Sequence, residues 1–574
     1  MANQSSHEFN CLKAAYIEDM KIAQIRNSGI ITIPQYLGQL MGEQEWNESV
    51  SAANKRFINV GAYDMFKNKN SLILVGRIGT GKSSILKKME YDVNNHKIPI
   101  YKDVIFINLR DYILQLASYG HLDGTPQVYA EIEENLKNFI MLSIMKHIVY
   151  DNSNQYSPQS VKIITNYLNT IGVSKDTNLG KILDLYIDKI NNDTYHDILQ
   201  SISMFSGITK KLFGVDYHEA EKEVNALFTT QKMLVLVDTL PEYNFNDVSS
   251  VVIVKTLMIH AFDNFSNNSK IAIKIAMPSE LYSDLSSEIP AKFTGNTVFI
   301  EWRYRDLVKF IAMRCYFLMK ESEWKDHFSS VKLPNMKYEN LASDYEKAKD
   351  FLQCMLPERC NASINLSFNT LSYIIRHTQK KPRQLMKIFE SIIYKIIEKE
   401  SIDYFIKNPM ELKNQIHYVQ NDLISDCLNM YANTYKGIVN LCTQILKNSK
   451  YCMTKKELEE CIDRECNGLV WAERKDIKKV LIESGIIGTY NDGEEHYIDK
   501  NNTWFKNPNI IKIIPVLYEY QVKGRLIVNE NSLFVVHPMC YEYYRSKIDY
   551  NCLVYPESND ESDETYEYFI HLND

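Results

Sequence analysis

Residues 72–89 read LILVGRIGTGKSSILKKM. Four apolar residues run into a glycine-rich turn, and a lysine and two serines open the next segment. Gly76-Arg77-Ile78-Gly79-Thr80-Gly81-Lys82-Ser83 matches G-x-x-x-x-G-K-[ST] at every fixed position. Glycines permit a tight loop whose backbone N–H groups converge on phosphate oxygens. The helix after it turns its positive end toward the same anion. In such a loop Lys82 reaches the β- and γ-phosphates and Ser83 ligates magnesium, and Gly76 through Ser84 are expected to bind the nucleotide. The motif also needs a buried strand before it and a helix after it, and both patterns are present. The stretch therefore predicts an α/β nucleotide-binding fold with ATP and Mg2+ as ligands.

The strands around it follow from continuous apolar runs, the pattern of strands covered on both faces. They are SLILV (71–75), DVIFINL (103–109), QKMLVLVDTLPEY (231–243), KIAIKIAMPSELY (270–282) and NTVFIEW (296–302). Helical stretches separate them, which predicts a parallel sheet. The third run ends on Asp238, about 155 residues after the phosphate loop, where a magnesium-holding acid belongs. That spacing implies a helical insertion at about 115–230. Thr239 follows Asp238, and Glu242 is the next acid; it is either the base that positions attacking water or a surface residue.

The remaining chain divides by pattern. Residues 1–50 read as a polar, mostly helical segment, and 51–304 as the nucleotide-binding domain with its insertion. Residues 305–420 read as an all-helical lid. Residues 421–553 read as three helices and a Gly-marked turn into strands, a winged-helix pattern. Residues 554–574 form an acidic tail; ESNDESDETYEYFIHLND holds seven acids and no Lys or Arg.

The 574 residues carry a formal net charge of −7, with 45% hydrophobic and 24% charged residues. Such a composition suits a soluble globular chain. No apolar run is long enough to span a bilayer, and the first residues lack a signal-peptide pattern. The eleven cysteines form no CxxC pair, so reduced thiols and a cytoplasmic location are expected. The acidic balance does not favour nucleic acid. Arg474, Lys475, Lys478 and Lys479 in AERKDIKKVLIESG (472–485) are either a groove-facing set or a solvated helix face. No second catalytic constellation is visible.

Four features together resemble the AAA+/STAND group of P-loop ATPases, close to bacterial proteins that share a lid and winged helix with the origin-recognition type. They are the loop GRIGTGKSS, the strand VLVDTLPE, the segment VFIEWRYRDLVKFIAMR that leads into the lid, and RHTQKKPRQLMKIFE with its Pro-Arg pair. The resemblance implies that Ser279 sits at the sensor-1 position and that Arg383 reaches from the lid onto the nucleotide. It implies a regulatory ATPase, a nucleotide-driven switch that self-associates or engages an effector protein, in a setting such as antiphage defence. The competing expectation is an ATP-dependent duplex-DNA binder of the origin-recognition type. Thr239 and Pro241 depart from the family's acidic pattern, which leaves slow hydrolysis expected. No arginine lies in KTLMIHAFDNFSNNSK (255–270) to serve a neighbouring subunit; Arg303 and Arg305 are the substitutes at hand.

Overall fold

The computed structural model describes residues 37, 42–68, 72–108, 126–179, 215–238, 254–259, 268–285, 295–322, 325–328, 337–363, 366–432, 434–466, 474–491, 496–498, 511–522, 525–529, 531–540 and 552–556. Thr239, Glu242 and the 554–574 tail expected from sequence lie outside them, apart from Val554, Tyr555 and Pro556.

A five-stranded, all-parallel sheet carries the order β2-β3-β4-β1-β5. Its strands are β1 (Ile73–Gly76), β2 (Tyr101–Asn108), β3 (Lys232–Asp238), β4 (Ile271–Pro278) and β5 (Thr297–Phe299). The loop-bearing β1 pairs β4 on one side and β5 on the other. Strand alternation sorts the side chains to two cores. Ile73, Val75, Met233, Val235, Val237, Ile273 and Ile275 join one cluster with the helices Pro126–Tyr150, Pro158–Thr170 and Val215–Leu227. Leu74, Leu234, Leu236 and Ala276 join the other, under Ile85, Leu86, Met89 and Val93 of the helix Lys82–Asn94. Each such aliphatic side chain contributes roughly 1.5–3 kcal/mol when fully buried. These three helices thus pack on one face of the sheet.

Lys274 interrupts the second face. It is 1% exposed and donates to the Phe66 and Asn68 carbonyls. Burial pulls its amine down to about 7. Its two acceptors lie at and just beyond the end of the helix Ala62–Phe66, where backbone carbonyls lack intrahelical donors.

The insertion is also tied to the sheet by a polar knot. The Asp103 carboxylate accepts from Tyr156 Oη, from Asn152 Nδ2 at 3.0 Å and from His147 Nε2 at 3.2 Å; His147 Nδ1 lies 3.2 Å from Asp151. Burial works against charge on Asp103, but His147, Tyr156 and Asn152 outweigh it and hold its carboxyl below the usual range. Burial likewise opposes a charged His147, and the two aspartates outweigh it and raise its pKa. The depressed acid stabilises the fold above about pH 4 and loses that effect on acidification. The raised histidine stabilises it below about pH 6.5 and loses that effect as pH rises through its folded pKa. Thermal stability is therefore expected to fall as pH rises above about 6.5, and His147→Gln to flatten that slope in melts across the range.

After β5 the chain is mainly helical, with Tyr304–Glu321, Thr370–Arg376 and Pro382–Glu398 packing together. One correction applies to the expected all-helical 305–420 segment. Residues β6 (Arg359–Ser363) and β7 (Leu366–Asn369) form an antiparallel ribbon. The cause is written in CNASINLSFN (360–369), where apolar and polar residues alternate with period two.

The C-terminal part places helices Ile438–Asn448, Lys455–Cys466 and Arg474–Glu483 against a sheet of β8 (Cys452–Met453), β12 (Ser532–Val536) and β9 (Ile487–Asn491). Between β9 and the chain's end runs a second sheet not foreseen from sequence. It contains β10 (His496–Ile498), β11 (Ile511–Val516) and β13 (Cys552–Pro556). A single apolar cluster runs from Leu37 and Tyr304 through Ile392 and Leu428 to Met539 and Cys540. No helix among the described residues is long and apolar enough to cross a membrane.

Candidate nucleotide site

The loop leaves β1 at Gly76 and enters the helix at Lys82. Gly79 and Gly81 have φ +87° and +97°, a region that disfavours any side chain. Gly76 has no room for one either, because a Cβ there would meet Thr80 Oγ1 at 2.6 Å. Thr80 Oγ1 in turn donates to the Arg77 carbonyl at 2.7 Å, which closes the loop on itself.

Lys82 is 9% exposed, and its Nζ donates to the Gly76 carbonyl at 2.8 Å and the Arg77 carbonyl at 3.1 Å. An ammonium has three protons. Two loop carbonyls thus fix the position of the charge at the mouth of the loop. Burial lowers this amine to about 8, against the pull of Glu280 and Asp238. The charged form still dominates at neutral pH.

Ser83 and Asp238 meet across the sheet. The Ser83 hydroxyl donates to Asp238 Oδ2 at 2.6 Å, although 155 residues separate them. A hydroxyl beside a carboxylate at the start of a helix is the oxygen pair a magnesium ion bound to phosphate would take. The donor set fits the ion in kind: hard oxygens, one of them charged.

Ser84 lies in the first turn of the same helix, half-buried. Ile78 packs against the helical cluster that follows β5. Ser279 opens the helix after β4, and its hydroxyl donates to Glu280 Oε2 at 3.2 Å. Arg383 lies over the loop. A Cβ on Gly79 would meet Arg383 Cβ at 3.2 Å and its Nε at 3.6 Å. The structure thus gathers Gly76 to Ser84, Asp238 and Arg383 into one place, with Ser279 at its edge. Glu242 lies outside the described residues.

Three participants were not anticipated. Glu280 is buried, and its Oε1 lies 3.2 Å from Arg77 Nε. Burial would raise that carboxyl, but Arg77, Lys381 and Lys82 outweigh it and hold it low. Lys381 immediately precedes the helix Pro382–Glu398 and is itself buried. Trp302 Nε1 donates to the Thr80 carbonyl at 2.8 Å, clamping the loop to the segment that leads from β5 into the helical part. No sequence signal marks Glu280, because its partner Arg77 occupies an unspecified position of the motif.

The basic residues of the helix Arg474–Glu483 are engaged within the protein. Arg474 pairs with Asp463 through two nitrogens, and Lys478 Nζ lies 3.0 Å from Glu459. Lys479 lies 3.7 Å from Glu483. Arg305, a substitute finger by position, rests over the Tyr345 ring at 5.2 Å.

No protein-family model matches this chain, and no curated protein does. Solved structures similar to it include a Walker-type ATPase of Pyrococcus abyssi, at 11% identity and TM-score 0.33, covering 85% of this chain and 96% of that one. Another is the ORC2 protein of Aeropyrum pernix in ADPNP-ADP complexes, at 11% identity and TM-score 0.33, covering 85% and 93%. A third is Cdc6p from Pyrobaculum aerophilum, at 10% identity and TM-score 0.26, covering 91% and 98%. At these values the likeness assigns neither family nor activity, and the geometry of the site carries the reading.

Proposed function

We propose that this chain binds ATP with Mg2+ and acts as a slowly hydrolysing regulatory ATPase, a nucleotide-driven conformational switch. The observation that carries the reading is the convergence of Lys82, held by two loop carbonyls, with the Ser83–Asp238 pair. The chemistry of the switch follows from those groups. The Lys82 ammonium and the amides at the start of the helix neutralise the phosphates. Ser83, and Asp238 through water, would hold the ion, which would offset charge on the transferred phosphoryl group. Arg383, whose side chain packs on Gly79, is in this reading the lid residue that registers a terminal phosphate, and that contact supports the role.

The C-terminal order of helix, strand, helix, helix, strand, strand supports a winged helix. Its output in this reading is a protein contact, self-association or a separate effector, with antiphage defence as the setting that the family resemblance implies. Duplex DNA is the less favoured partner, because acids of the neighbouring helix occupy Arg474 and Lys478. A duplex titration across salt concentrations tests that directly: groove binding imposes a steep salt slope, and none is expected.

Glu242 is the proposed base, since it is the first acid after Asp238. Glu242→Gln is expected to lower turnover at least tenfold and leave ATP affinity within about twofold, read by phosphate release and calorimetry. Unchanged turnover would remove Glu242 from the mechanism. Mass photometry with and without ATP tests the assembly half of the proposal; identical mass distributions would refute it.

A further inference from the structure

The loop residue between Gly76 and Ile78 reaches beyond the nucleotide site. Arg77 is 7% exposed, and its Nη2 donates to the backbone carbonyl of Glu483 at 2.7 Å, 406 residues away. Glu483 is the last residue of the helix Arg474–Glu483, whose final carbonyls have no intrahelical donor. The Glu483 carboxylate itself pairs with Arg525 and Lys479. The contact is therefore a guanidinium set on the negative end of a helix, with Glu280 balancing the same charge from the other side.

The next carbonyl of that turn has a donor from a third part of the chain. Gln379 Nε2 donates to the Ser484 carbonyl at 2.7 Å. Gln379 is 3% exposed and lies four residues before Arg383, and its own backbone N–H donates to Gln384 Oε1 at 2.7 Å. Gly485 follows, with φ +71° and no space for a side chain; a Cβ would meet Gln379 Nε2 at 2.8 Å and the Tyr520 ring at 3.0 Å. Two consecutive carbonyls of one turn thus receive one donor from the phosphate loop and one from the segment leading to Arg383.

We propose that the 483–485 turn is a docking strut, which holds the phosphate loop through Arg77 and the Arg383 segment through Gln379, so that ATP affinity and the seating of the C-terminal part depend on each other. Arg77 acts here as a positioning residue. Its carbonyl accepts from Lys82 and Thr80, while its guanidinium is anchored on the turn. Anchoring the side chain restrains the carbonyl that fixes Lys82. Linkage then requires the reverse: phosphate binding must strengthen the dock. The inference rests on the ATP-binding reading above and names the partner surface through which that site is regulated.

The test uses two substitutions that touch no nucleotide-binding residue. Gln379→Ala removes the donor to Ser484, and Gly485→Val drives a side chain into Gln379 and Tyr520. Hydrogen exchange at the amides of residues 484–487 is measured with and without ATP and Mg2+, alongside ATP affinity by calorimetry. In the unmodified chain ATP is expected to slow exchange in the turn at least threefold. Both variants are expected to exchange faster there, to lose the ATP-dependent protection, and to bind ATP about fivefold or more weakly. If Gly485→Val fails to fold, as a melt would show, Gln379→Ala decides alone. Faster exchange in Gln379→Ala with unchanged ATP affinity would overturn the strut and leave the ATP-binding reading intact. An unmodified chain that does not bind ATP would overturn that reading, and the strut with it.

Discussion

Lys82→Ala is expected to abolish ATP binding and to leave the ligand-free chain no less stable. The first effect follows from charge. A charge-assisted contact to phosphate is lost in a buried loop, worth about 3 kcal/mol, so the dissociation constant should rise at least about a hundredfold. The second follows from burial. Desolvation already pulls this amine down to about 8, so the charged side chain strains against its surroundings. Alanine removes that cost and leaves the Gly76 and Arg77 carbonyls without their donor, and the two changes offset. The depressed amine also sets the pH response. The ligand selects the charged form, so affinity is flat below about pH 8 and falls as pH rises through that value, by about tenfold per unit. Calorimetric titrations from pH 7 to 9.5 check it. A variant that binds ATP like the original chain would remove Lys82 from the site.

Glu45→Ala is expected to give the largest loss of stability. The carboxylate lies in the helix Gly42–Glu48 and is 6% exposed. It pairs with both terminal nitrogens of Arg314, one at 2.7 Å, and with Arg56 Nη1 at 3.3 Å. Arg314 is buried in the helix Tyr304–Glu321, and its Nη1 also donates to the Leu37 carbonyl at 3.3 Å. Removing one partner of a buried pair strands the other, at about 3–5 kcal/mol. Here the deletion strips Arg314 of its carboxylate partner, leaving it the Leu37 carbonyl, and strands Arg56 in part. Denaturant titration should show that loss, and a change below about 1 kcal/mol would mean that water reaches the pair.

The half of the fold that carries the parallel sheet was legible because its signals are local. Five apolar runs became five parallel strands, since strands covered on both faces leave few polar positions to break the run, Lys274 being one. The phosphate loop was legible for the same reason: its glycines and Lys82 act within eight consecutive residues. Asp238 required one further step, a strand-end acid at the right place, and Ser83 meets it. The rest depends on tertiary contact. Glu280 has meaning only beside Arg77, and Gln379 only beside Ser484. The β6–β7 ribbon alternates plainly, but it is short and lies between long helical patterns. The sheet of β10, β11 and β13 joins segments forty residues apart in part of its pairing, and no local pattern announces such a partner.

One apolar cluster spans the helical part after β5 and the C-terminal part, from Tyr304 to Cys540. Sequence pattern places a boundary near residue 420, and the cluster passes through it: Ile416 and Val419 lie on one side, Leu423, Ile424 and Leu428 on the other. Two bodies joined by a thin interface can melt separately, whereas residues sharing one core lose their neighbours together. Calorimetry should therefore record residues 304–540 as a single cooperative transition, with an enthalpy scaled to the whole stretch. A chain cut at residue 420 would inherit half a core with its apolar side bare, and aggregation rather than an isolated, folded helical part is the expected product.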